Sequence, residues 1–67
     1  MLEDEDLVQR AVDTVYALTS VRGCVFKRRL FQRAFSLGIV PVIVHEALWQ
    51  LQQSCMLRVD GNVVSVI

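Results

Sequence analysis

Few side chains in this sequence could act as nucleophiles or metal ligands through sulfur or nitrogen: Cys24, Cys55 and a single histidine, His45. A cysteine–histidine pair is the arrangement of a thiolate nucleophile and its base, but it works only when a third group orients the imidazole inside a pocket. A core drawn from 67 residues has little room for one. The same three residues fall one short of the four ligands of a structural zinc site, and no C-x-x-C spacing occurs. No catalytic, cofactor-binding or metal-binding residue is assigned, and the chain reads as a non-enzyme. His45, beside Glu46, reads as a surface residue. Cys24 and Cys55 read as reduced thiols of an intracellular protein, used as small packing residues.

The other residues with chemistry to offer are charged, and their placement is uneven. Seven bases balance seven acids, so the formal net charge is zero. Residues 1–13 nevertheless carry Glu3, Asp4, Glu5, Asp6 and Asp13 against Arg10 alone, whereas residues 22–33 carry Arg22, Lys27, Arg28, Arg29 and Arg33. No acid occurs between Asp13 and Glu46. A compact basic centre of this kind can meet phosphates or an acidic protein. It can equally be a solvated helix face, or be neutralised by the acidic N-terminal segment folding against it.

An apolar fraction of 54% with no net charge excludes a disordered tail. Ala34–His45, the longest run without a formal charge, is 12 residues and too short to span a bilayer. Leu2 is followed by four acids rather than by the basic and apolar regions of a signal peptide. The expectation is one small domain over residues 1–67, cut from the C-terminal end of a larger intracellular protein.

Three glycines and one proline divide the chain. Leu7, Ala11, Val15 and Leu18, widened by Val8 and Val12, recur at helical spacing and predict a first helix over residues 4–19, ended by Thr19 and Ser20. Gly23 opens a short β-prone stretch, Cys24-Val25-Phe26. Leu30, Phe31, Ala34, Phe35 and Leu37 predict the apolar side of a second helix over about 27–37, with Gly38 as its left-handed terminator. Pro41 suits the first turn of a third helix reaching about Ser54, whose buried stripe is Val44, Ala47, Leu48 and Leu51. Val40 is an awkward N-cap for it, since that place favours Ser, Thr or Asp.

The period then changes to two. Leu57 and Val59 alternate with Arg58, and Asp60-Gly61 is a hairpin signal ahead of the run Val63–Ile67. Pairing Val59 with Asn62 places Leu57, Val59, Val64 and Val66 on one face, which should cover the helices. Helix, short strand, helix, helix and hairpin make the winged-helix form of helix-turn-helix, a mainly α fold with a two-stranded C-terminal wing. The strand at Val25 can join the hairpin as a third strand.

Gly23, Leu30, Gly38-Ile39, Val44, Ala47-Leu48, Leu51, Leu57 and Asp60-Gly61 resemble the spacing of many winged helices across nearly the whole chain. Ala47-Leu48, Asp60-Gly61 and the terminal Val66-Ile67 are similar to the C-terminal winged helix of minichromosome-maintenance replicative helicase subunits, most of all the third subunit of the eukaryotic ring. No Walker sequence or arginine finger occurs, so any ATPase activity belongs to a separate upstream domain. The resemblance implies a nuclear protein of DNA replication and, as partners, the helicase-loading ATPases bound at origins or another replication protein. A monomer in isolation is expected, with no membrane partner.

A winged helix that reads DNA places helix 3 in the major groove and offers cations to phosphates. Outside its buried stripe, this helix 3 presents Val42, His45, Glu46, Trp49, Gln50, Gln52 and Gln53, with neither Lys nor Arg. Trp49 falls about 150° round the helix from the centre of the buried stripe. Val42, His45, Trp49, Gln52 and Gln53 are therefore the expected partner-binding residues, because exposed tryptophan among uncharged polar neighbours suits a protein interface. The alternative for Trp49 is burial beneath the wing. The alternative function is a nucleic-acid-binding winged helix that contacts the phosphate backbone, weakly and without sequence preference, through Arg22, Lys27, Arg28, Arg29 and Arg33.

Overall fold

The computed structural model describes the backbone from Leu2 to Ile67 and the side chains from Asp6 onward. Its elements run α1 (Leu2–Ser20), β1 (Cys24–Phe26), α2 (Lys27–Ser36), α3 (Pro41–Gln53), β2 (Leu57–Asp60) and β3 (Val63–Val66). The three strands form one antiparallel sheet in the order β1-β3-β2. This is the winged-helix arrangement, with β1 paired to the returning strand of the wing.

The core follows from the helical stripes. Ala11, Val15 and Thr19 of α1 meet Leu30 and Ala34 of α2 and Val44, Ala47, Leu48 and Leu51 of α3, all buried. Helix α1 packs chiefly on α3, and Ala11 of the first and Ala47 of the second are both fully buried. Thr19 lies in the core rather than outside a helix end. Its hydroxyl donates to the Val15 carbonyl at 2.8 Å, which satisfies the one buried polar side chain among the described residues. Leu57 and Val64 of the hairpin close the core, with Val59 and Val66 packed against its edge.

Three apolar residues predicted to be buried are not. Leu7, near the start of α1, is 48% exposed. At about 1.5 Å per residue α1 is roughly 28 Å long, nearly the 31 Å of the domain's longest dimension. Phe35 and Leu37 are 65% and 57% exposed. Only the Leu30–Ala34 line of α2 faces the core, and Leu37 is already the C-cap. The cysteines are also exposed rather than packed. Val25 is the inward residue of β1, so strand alternation turns Cys24 and Phe26 outward. Cys55 lies beyond the C-cap of α3 with φ +58°, its side chain directed to solvent.

The hairpin pairs differently from the expected register. Asp60 lies opposite Val63 and Val59 opposite Val64, so the loop residues are Gly61-Asn62, not Asp60-Gly61. Gly61 takes φ +63° and Asn62 a negative φ, which puts glycine at the first central position, as a type II′ turn requires. Each partner has moved by two residues, and side chains alternate with period two. Leu57, Val59, Val64 and Val66 therefore still share one face.

Candidate functional site

Helix α3 begins at Pro41 and reaches Gln53, and its buried line of Val44, Ala47, Leu48 and Leu51 fixes which side faces out. Val42, His45 and Trp49 follow one another at steps of three and four, with Gln52 and Gln53 one turn further. All five are exposed. Val42 is 72% and Trp49 58% accessible, so the indole is not covered by the wing. Val42 and Trp49 are about 10 Å apart along the helix axis at the standard rise.

His45 is held from the side. Its ring meets the half-buried Phe31 of α2 edge-on, with centroids 4.8 Å apart and planes at 63°, a favourable aromatic geometry. On the flank of α3 the Gln50 amide donates to the Glu46 carboxylate at 3.4 Å. The exposed face of α3 is thus apolar and aromatic at its centre, with amides at one end and a carboxylate beside it. It carries no cation for a phosphate.

The cations are elsewhere. Arg22, which follows α1, and Arg29 and Arg33, one turn apart on α2, border a single hollow of about 500 Å³. The reversal of the chain through β1 brings the first to the other two. Leu18, Val25, Leu30 and Val63 form the hollow's apolar floor. Arg28 joins Arg29, Arg33, Gln32 and Asn62 around a second depression that is more open to solvent. Lys27 lines neither; it is half-buried, and its backbone N–H extends the β1–β3 ladder by donating to the Asn62 carbonyl at 2.7 Å.

Sequence reasoning missed Phe26, which is 66% exposed and borders both depressions. The signal for it was available: with Val25 facing in, its neighbour on a strand must face out. The expected neutralisation of the basic centre by the N-terminal acids involves Glu3, Asp4 and Glu5, whose side chains lie outside the described residues. Asp6 is described, and twelve helical residues, about 18 Å along α1, separate it from Leu18 in the floor of the hollow.

Among the described residues no three His, Cys, Asp or Glu side chains gather as a metal site, and no helix is long and apolar enough to cross a membrane. Comparison with known proteins finds no matching family model, no similar curated protein and no similar solved structure.

Proposed function

We propose that this winged helix is a non-catalytic protein-interaction module that engages its partner through the outer face of α3. The observation that carries the reading is Trp49, 58% exposed at the centre of a helix-3 face without Lys or Arg. A large aromatic ring in that setting is the usual anchor of a protein interface, and a helix without cations is poorly suited to duplex DNA. By its resemblance to the C-terminal winged helices of minichromosome-maintenance subunits, the module serves DNA replication in the nucleus. Its partner is then a helicase-loading ATPase at origins, and any ATPase activity of the full protein belongs upstream.

The test is a pull-down in which the immobilised domain is offered origin-bound loading ATPases and, separately, duplex DNA. Retention of the loader, lost in Trp49→Ala, supports the reading. Retention of duplex DNA without the loader, with affinity falling steeply between about 50 and 200 mM salt, replaces it with a phosphate-binding role for the basic centre.

A further inference from the structure

We infer that the hollow between the end of α1, β1 and α2 is a second docking site, and that its occupant is an acidic peptide segment carrying a bulky apolar anchor. Two features of the hollow combine to specify that chemistry. Leu18, Val25, Leu30 and Val63 line it with hydrocarbon, and the exposed arginines Arg22, Arg29 and Arg33 line it with cationic side chains. Among the described residues no carboxylate lines it. Three cations around an apolar floor are complementary to a ligand that is apolar in the middle and anionic on both sides.

A nucleic-acid backbone would use the arginines but leave the floor unfilled, since phosphates and sugars are the parts it presents to such contacts. A purely apolar ligand would fill the floor and leave the cations unpaired. Phe26, exposed at the edge of the hollow, adds an aromatic surface against which an anchoring side chain can pack. At about 500 Å³ the hollow is in the size range of sites that hold a drug-sized ligand, enough for one or two large side chains. None of its lining residues belongs to α3, so this site is separate from the Trp49 face and stands or falls independently of it.

The two exposed thiols supply the assay. Cys24 lines the hollow and Cys55, beyond α3, does not. The probe is a short synthetic peptide with a central leucine–phenylalanine pair flanked by two carboxylates on each side. Three comparison probes are used: the same peptide with serines at the centre, the same peptide with lysines for the acids, and an oligothymidylate of equal charge. Alkylation of each cysteine by iodoacetamide is followed by mass spectrometry across a titration. The expected result is saturable protection of Cys24 by the acidic, apolar-centred peptide alone, with Cys55 unchanged. Arg29→Ala and Arg33→Ala, both at exposed positions, should each weaken that protection about tenfold, the range for losing a hydrogen bond to a charged group. Equal protection by the serine peptide or by the oligothymidylate would overturn the proposal, as would no protection at millimolar peptide.

Discussion

Gly38 and Cys55 occupy the same place in two different helices. Each is the first residue past a C-cap, at φ +87° and +58° respectively. Each donates its backbone N–H at 3.0 Å to a carbonyl in the last turn, Phe35 for Gly38 and Gln52 for Cys55. In each case the next residue reaches one turn further, Ile39 to Ala34 and Met56 to Leu51, both at 2.9 Å. These are the two bonds of a Schellman motif, so α2 and α3 end alike, one on glycine and the other on a residue with a side chain.

That difference predicts a stability change. A left-handed conformation costs a non-glycine residue roughly 1–2 kcal/mol, and Cys55 is exposed, so its thiol gives little back. Cys55→Gly should stabilise the domain by about 1 kcal/mol, raising the urea midpoint by roughly 1 M at the denaturant sensitivity of a small domain. Gly38→Ala should lower stability by a similar amount. No heavy atom stands within 4 Å of where its new β-carbon would be, so that cost is conformational and not steric.

Val40 is the N-cap of α3 in extended conformation (φ −74°, ψ 155°) and makes no side-chain cap. Val40→Asp should supply the missing acceptor and add about 0.5–1 kcal/mol in equilibrium unfolding. Val40→Ala separates the cap from the loss of a half-exposed valine, and should leave stability unchanged or slightly lower.

Leu30 and Phe35 look alike in the apolar stripe of α2, yet the first is fully buried and the second 65% exposed. Leu30→Ala should cost about 2–5 kcal/mol. A core of this size supplies roughly 3–5 kcal/mol in all, so circular dichroism should show the variant largely unfolded. Phe35→Ala and Leu37→Ala should remain folded, with midpoints close to the parent's.

Trp49 is the single tryptophan of the chain, so its fluorescence reports on the α3 face alone. The native protein should emit at the long wavelength of a solvated indole and be quenched readily by acrylamide. Binding of a protein partner to this face should shift the emission to the blue. Trp49→Ala should stay folded and lose about 2 kcal/mol or more of partner affinity, as for an interface hot spot. A folded variant with unchanged affinity would remove the outer face of α3 from the interface.

Residue types and spacing were enough to place every element to within about two residues. Gly23, Gly38 and Pro41 punctuate the backbone through angles that glycine and proline take locally, and Val44, Ala47, Leu48 and Leu51 declare their face through the 3.6-residue period. The same period sets Trp49 away from the core, with Val42, His45, Gln52 and Gln53 beside it. These properties belong to one helix or one turn, and a sequence records them directly. What a face meets depends on residues far away in the chain. Leu7, Phe35 and Leu37 satisfy the helical period but find no neighbour to cover them, and Trp49 stays in solvent because the wing turns Leu57 and Val64 into the core instead of over the indole. Asp60-Gly61 and Gly61-Asn62 are both local two-residue hairpin signals, and the pairing of β2 with β3 is in the register of the second. The hollow of Arg22, Arg29 and Arg33 exists only because β1 pairs with β3 and folds α2 back beside the end of α1. Periodicity is a property of the local backbone, whereas cover and convergence are long-range contacts, and those were decided by the tertiary structure.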